Sequence, residues 1–303
     1  MSQAVMHDLH TFFNPTSIAV VGASSNPDKA GYQVIKNLQR GPYKGRVFPV
    51  NPRGGEILGL SCYTSLSVIP YPIDLVLITA PAPTVPGIFD DIVNRGDAKS
   101  VVVVAAGFSE TKTESGKEME DYIVNLARQN DIRIFGPNCT GVINTEQKMD
   151  TTIEPSVELK PGKISVFSQS GAVAGSILLM LEDQPVPVGF SKWAHVGNMS
   201  DVNVIDVLEY YGQDDSTEVI CVYMEGFDDG RELIDLASKL APTKHVVVLK
   251  VGRSDLGAKA AFSHTGALAG NDEIYEAAFR KSGIIRVEDL FDMVNTTKAL
   301  VSQ

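Results

Sequence analysis

His264 stands in the run Ser263-His264-Thr265-Gly266-Ala267, within a stretch, 252–270, rich in Gly, Ala and Ser. A loop histidine between small residues is open to a reactant. Neutral imidazole is nucleophilic near pH 7 and can carry a phosphoryl group between two sites. The same pattern also suits an exposed loop histidine without chemistry. Glu225 follows the strand pattern 218–224 and precedes Gly226. A carboxylate at the carboxyl end of a strand can accept the second imidazole N–H, which fixes the tautomer and stabilises the cation. The alternative is a surface glutamate in an acidic turn with Asp228 and Asp229. Ser170-Gly171-Ala172 follows a strand pattern and opens a helical one. Ser170 is a candidate N-cap, and Gly171 and Ala172 leave the first amides unshielded, so an anion is attracted there. An ordinary capped helix would look the same.

A second group of loops has a different chemistry. The first strand runs into Gly22-Ala23-Ser24-Ser25-Asn26-Pro27, where backbone amides and a helix start can hold phosphates. The dinucleotide fingerprint G-x-G-x-x-G is broken, because Ser24 and Pro27 occupy two of its glycine positions. The second strand ends in Asn51-Pro52-Arg53, a cation where a site for the NAD ribose favours Asp or Glu. A phosphate-rich ligand such as coenzyme A suits these residues better than NAD. The alternative is a solvated turn at Arg53 and a tight bend at Gly22. Ala80-Pro81-Ala82 and the run Ala106-Gly107-Phe108-Ser109-Glu110 follow two further strands, at the carboxyl ends where ligands bind in this architecture. Prolines that simply end a strand would also explain the first of these.

The elements that must position these residues alternate. Strand patterns at 17–21, 46–50, 74–79, 100–105 and 132–135 are interleaved with helical ones at 32–39, 85–95 and 110–129. A second series has strands at 164–167, 190–194, 218–223, 245–251 and 284–287, and helices at 171–182, 204–211, 228–240, 272–282 and 287–301. Such alternation predicts βαβ units and parallel doubly wound sheets. The expected fold is α/β: a Rossmann-like domain over 1–150 and a flavodoxin-like doubly wound domain over 151–303, with the looser stretch 150–160 as the boundary. His245 is expected to begin a buried, structural strand.

Composition limits the partners. Of 303 residues, 44% are hydrophobic and 21% charged, which is ordinary for a globular chain. A net charge of −11 disfavours nucleic acid, since most of the surface would repel a phosphate backbone. Three separated cysteines and five histidines without HxH or HExxH spacing predict no disulfide framework and no metal site. No run approaches the roughly 20 apolar residues of a membrane span, and the first ten residues lack the form of a signal peptide. These features lead us to expect a soluble, reduced, cytoplasmic protein.

Taken together, SIAVVGAS (17–24), FPVNPR (48–53), GFSE (107–110), GPNCTG (136–141), SQSGA (168–172), Gly197-Asn198, KVGR (250–253) and SHTGALAG (263–270) resemble the α-type half of the NDP-forming acyl-CoA synthetases. That family includes succinyl-CoA synthetase α and the ADP-forming acetyl-CoA synthetases, and the SHTGALAG loop resembles the latter branch more. The resemblance implies coenzyme A bound by Gly22, Ala23, Ser24, Asn51, Pro52, Arg53, Ala80, Pro81 and Ala82. It implies phosphate held by Ser170, Gly171, Ala172 and Asn138, with His264 as phosphohistidine and Glu225 orienting it. Cys139, beside Asn138, becomes a packing residue. The implied overall reaction converts acyl-CoA, phosphate and ADP to carboxylate, CoA and ATP, with ADP or ATP and its magnesium on a partner ATP-grasp β-type subunit or domain. The nucleotide-binding module of the family is absent from these 303 residues, so a stand-alone subunit and a piece of a longer synthetase are both expected forms. A second copy of the chain is also a compatible partner. A non-catalytic CoA-binding or regulatory module is the alternative reading.

Overall fold

A computed structural model of the chain describes residues 9–154, 158–182, 188–226, 230–252 and 272–301. His264 and its loop lie outside the described residues. The contacts divide the chain into two compact units. One takes residues 2–156 together with Val196–Asn203, and the other takes 157–195 and 204–303.

The first unit is built on five parallel strands: β1 (Ser17–Val21), β2 (Arg46–Val50), β5 (Leu75–Ile78), β6 (Ser100–Val103) and β7 (Arg133–Phe135), in the order β2-β1-β5-β6-β7. Strands β1, β5 and β6 are buried at every position, as expected of continuous apolar runs covered on both faces. Helices α1 (Ala30–Arg40), α2 (Val85–Arg95) and α3 (Glu114–Gln129) make the crossovers. The helical pattern at 110–129 resolves into two pieces. A 3-10 turn, Ser109–Thr111, precedes the α-helix, whose Thr113 N-cap hydroxyl accepts the Gly116 N–H. Lys112, in left-handed geometry between them, breaks the run. Two small hairpins escape the sequence pattern because their strands are only two to four residues long: β3 (Glu56–Ile57) with β4 (Leu60–Ser61), and β8 (Gly141–Asn144) with β9 (Met149–Asp150).

The second unit contains β10 (Pro161–Ser168), β11 (Phe190–His195), β12 (Val219–Met224), β13 (His245–Lys250) and β14 (Ile285–Arg286), in the order β14-β13-β12-β10-β11. All of these pairings are parallel. Its helices are α4 (Gly171–Glu182), α5 (Val204–Gln213), α6 (Gly230–Leu240), α7 (Asp272–Ser282) and α8 (Leu290–Val301). Contrary to expectation, His245 is exposed, because burial in β13 starts at Val246. Lys192 on β11 is buried and paired with Asp214 at 2.6 Å, and Ser191, Ser216 and Thr217 complete the polar cluster. Burial by itself would raise the Asp214 carboxyl, but the Lys192 and Thr217 hydrogen bonds hold it below the usual range.

Both units follow the flavodoxin-like strand order, so each has its own switch point where the chain turns from one side of the sheet to the other. In the first unit that point lies between β1 and β5. In the second it lies between β10 and β12. The loops at those four carboxyl ends carry Gly22, Ala23, Ser24, Ala80, Pro81, Ala82, Ser170 and Glu225, whereas Asn51, Pro52 and Arg53 follow β2 and Asn138 follows β7.

Candidate functional site

In the first unit, a cavity of about 690 Å³ opens at the carboxyl ends of β1, β2 and β5. All nine of Gly22, Ala23, Ser24, Asn51, Pro52, Arg53, Ala80, Pro81 and Ala82 line it. Each loop is fixed locally. Asn51 donates from Nδ2 to the Ala23 carbonyl at 2.9 Å and accepts the Arg53 N–H at 3.0 Å, so one side chain joins two walls. Ser24 Oγ accepts the Asn26 N–H. Gly22 has φ +93°, and a Cβ there would lie 2.5 Å from the Ala80 nitrogen, so the β1 and β5 loops approach as only glycine allows.

One expectation is corrected here. The Gly22 and Ala23 amides both donate to the Val50 carbonyl, at 3.0 and 3.2 Å, and are not left open as a phosphate cradle. The positive charge lining the cavity is carried by Arg53 and by Lys29, with Asp91 the acidic residue among the lining groups. Sequence reasoning missed Lys29. It also missed Gly31, another lining residue, whose Cβ would sit 2.2 Å from the Gly22 carbonyl oxygen. Gly31 lets helix α1 close on the loop, the role of the third fingerprint glycine, displaced along the chain by the Ser25–Asp28 turn. Two cations, apolar walls of Ala and Pro, and this volume suit an extended phosphorylated ligand such as CoA.

In the second unit, Ser168-Gln169-Ser170 at the end of β10 and Glu225-Gly226 at the end of β12 flank the switch point. Ser168 Oγ bonds both the N–H and the carbonyl of Ser170, and the Ser170 carbonyl receives the Ala174 N–H of helix α4. Gly171 is partly exposed and Ala172 exposed at the helix start. Buried Gln169 clamps the opposite loop. Its Oε1 accepts the Glu225 N–H at 2.6 Å and the Gly226 N–H at 3.2 Å, and its Nε2 donates to the Gly226 carbonyl at 2.8 Å. Gln169 lies within SQSGA, but nothing in the sequence pointed to its partners 56 and 57 positions on. Glu225 is 6% exposed, so the acidic-turn reading on an open surface does not hold. Its charge contributes to raising the Tyr223 phenol, after burial, to about 12. His195, at the end of β11, is also buried. At the end of β13, Lys250 donates to the Val251 carbonyl and lies 4.9 Å from the centre of the Tyr275 ring. Burial and then Arg286 lower its ammonium, while Asp272 and Glu225 oppose that shift.

Asn138 belongs to the first unit, on the loop after β7, in left-handed geometry with φ +59°. Its N–H donates to the Ala105 carbonyl at 3.0 Å. Cys139 is 2% exposed, and burial pushes its thiol up to about 12, which makes it a packing group rather than a nucleophile at neutral pH.

Known proteins share this layout. Residues 16–145 match a CoA binding domain family, and residues 161–300 match the succinyl-CoA ligase like flavodoxin domain. The chain is 40% identical over 296 residues to the α subunit of ADP-forming acetate–CoA ligase I of Pyrococcus furiosus, covering 96% of this chain and 63% of that protein. It is 44% identical over 288 residues to ADP-forming acetate–CoA ligase I of Archaeoglobus fulgidus, covering 94% of this chain and 41% of that one. Among solved structures, dinucleotide forming acetyl-coenzyme A synthetase 1 of Ca. Korarchaeum cryptofilum, in complex with phosphate and ADP, superposes with a TM-score of 0.89 at 37% identity. That match covers 97% of this chain and 62% of the other. The chain therefore spans less than two thirds of each of these relatives.

Proposed function

The chain belongs to the α-type half of the NDP-forming acyl-CoA synthetase family, and on that premise we propose that it carries the CoA-binding and phosphoryl-carrying steps of such a synthetase. The observation that carries this reading is the cavity at the β1/β5 switch point, lined by all nine residues implied for CoA. Lys29 and Arg53 would meet the CoA phosphates, and the Ala80-Pro81-Ala82 wall would pack against its apolar parts.

The reaction proceeds in three transfers. A phosphate oxygen attacks the thioester carbonyl of a bound acyl-CoA. The C–O bond forms, the C–S bond breaks, and the CoA thiolate leaves and takes a proton. An imidazole nitrogen of His264 then attacks the phosphorus of the acyl phosphate, and the carboxylate leaves. Glu225 holds the other imidazole N–H, and its backbone is held by Gln169 at the head of the phosphate-binding turn. Gly171 and Ala172 would offer helix-start amides to the phosphoryl oxygens and Ser170, whose N–H is taken by Ser168 Oγ, its hydroxyl, with Asn138 as a further donor. The phosphohistidine passes its phosphoryl group to ADP held, with its magnesium, by an ATP-grasp partner. Positioning and charge placement are most of what such transfers require of the protein.

The test is incubation of the chain with acetyl-CoA and radiolabelled phosphate. The expected result is a protein-bound label that is acid-labile and alkali-stable, absent from His264→Ala and strongly reduced in Glu225→Ala. A label that survives His264→Ala would overturn the assignment. A chain that binds CoA but never labels would favour the regulatory module instead.

A further inference from the structure

The segment Val196–Asn203 follows β11 in the sequence but packs in the first unit. It is clipped onto the 136–139 loop through its backbone. The Asn198 N–H donates to the Pro137 carbonyl at 2.9 Å and the Ser200 N–H to the Gly136 carbonyl at 3.3 Å. Gly197, with φ +59°, permits this approach, since a Cβ there would lie 2.0 Å from the Pro137 oxygen.

Asn198 is held from its other end by two carboxylates. Its Nδ2 is 2.8 Å from Glu110 Oε2 and 2.8 Å from Glu120 Oε2. Both glutamates are themselves anchored. Glu110 Oε1 accepts the Gly107 and Phe108 N–H groups, at 2.5 and 3.1 Å. Glu120 accepts the Ser109 N–H, the Ser109 hydroxyl and the Ser200 hydroxyl. The Ser109 hydroxyl also lies 3.2 Å from the Asn198 nitrogen. Burial raises the Glu110 carboxyl, but the Asn198 amide and the Gly107 and Phe108 amides outweigh it and hold the group below its usual range.

An asparagine amide can flip, and only its partners decide which end faces where. Carboxylates only accept, so two of them force the nitrogen of Asn198 toward them. Its Oδ1 is thereby committed to the remaining neighbour, the Asn138 Nδ2 at 3.4 Å. That in turn settles the amide of Asn138, with its nitrogen toward Asn198 and a second N–H left for another acceptor. An anion needs that donor, and a flipped Asn138 would offer it an oxygen instead.

We propose that Asn198, oriented by Glu110 and Glu120, is a positioning residue that sets the side-chain amide of Asn138 as an anion donor. This rests on the function proposed above, in which Asn138 meets phosphate. The test uses side-chain amide resonances of the isotopically labelled full chain, with the Asn138 pair assigned through Asn138→Asp. Without any ligand, Asn198→Ala is expected to shift or broaden the Asn138 pair, while Glu120→Gln, which keeps an acceptor for Asn198, leaves it near its original position. Titration with inorganic phosphate is expected to move the pair saturably in the unaltered chain and at least about tenfold more weakly in Asn198→Ala. CoA affinity by calorimetry is expected to change much less. Asn198→Asp, which sets a third carboxylate against the other two, is expected to be worse than Ala. An Asn138 pair unmoved by Asn198→Ala in the absence of ligand overturns the positioning role, whatever the chain binds. An equal loss of phosphate and CoA binding, with a lowered melting temperature, overturns it in favour of a structural role. If the pair responds to Asn198→Ala but phosphate never moves it in the unaltered chain, the reading of Asn138 as a phosphate ligand fails instead, and with it the anion-donor purpose of the clamp.

Discussion

At the scale of single residues, two close approaches shape the cavity of the first unit, and only one was visible in the sequence. Gly22 stands where a fingerprint begins, so its role could be read from the turn alone. Gly31 lies nine residues further on, outside any fingerprint spacing, and its role appears only when helix α1 meets the Gly22 loop. Gly31→Ala places a Cβ 2.2 Å from a backbone carbonyl oxygen and 2.9 Å from the Ala23 Cα, and neither is a flexible side-chain end that can yield. The helix start must back away and the cavity wall with it. The expected outcome is a loss of CoA affinity of about 30-fold or more, roughly 2 kcal/mol, in calorimetric titration. Gly87→Ala, with nothing within 4 Å of the new Cβ, is the control and should bind CoA unchanged. Equal affinity in both variants would refute the close-approach argument. Gln169 teaches the same lesson, since a glutamine after a strand has no local signature of a clamp on a loop far along the chain.

At the scale of elements, the β8–β9 hairpin carries a buried charge problem. Asp150 is 3% exposed, and burial pushes its carboxyl up to about 6, against the Thr152 hydrogen bonds and Arg40 that lower it; Glu154 adds to the rise. The folded state therefore keeps the Asp150 proton through a window, about pH 4 to 6, in which the unfolded chain gives it up. Stability contributed by the protonated form is fully present below that window and is lost as pH rises through it. From the ordinary carboxylate value to about 6 the loss amounts to roughly 3 kcal/mol. Asp150→Asn keeps an oxygen to accept from Thr152 and removes the titration. In denaturant unfolding between pH 4 and 7, the variant is expected to lack this fall and to be the more stable protein at pH 7. Parallel pH curves for the two proteins would show that Asp150 stays ionised in the fold. The hairpin was missed in the sequence because each strand is too short to show a period of two. The long parallel strands were legible because burial on both faces writes a continuous apolar run into them.

At the scale of the whole molecule, described helices include none long and apolar enough to cross a membrane, and the proposed function divides the ligand chemistry between two units of like topology. CoA bound only in the first unit should stabilise that unit and leave the second untouched. In scanning calorimetry, CoA at about 100 times its Kd is expected to add about 2.7 kcal/mol to the transition of the unit holding the cavity. A shift confined to the transition of the other unit would place the CoA site wrongly. The alternation of strands and helices, and the loops at the carboxyl ends of the strands, were legible from the order of residues along the chain. Those depend on hydrophobic period, glycine and proline, all of which are local. The folded packing set the strand order, and so which four loops flank the two switch points. It alone assigned Val196–Asn203 to the first unit, closed Gly31 on Gly22, and joined Gln169 to Glu225 and Asn198 to Glu110 and Glu120. Gly31 meets Gly22 across nine residues, outside any fingerprint spacing, and the other pairs join residues 56 to 88 positions apart when the sheets assemble, so no neighbouring pattern in the sequence encodes them.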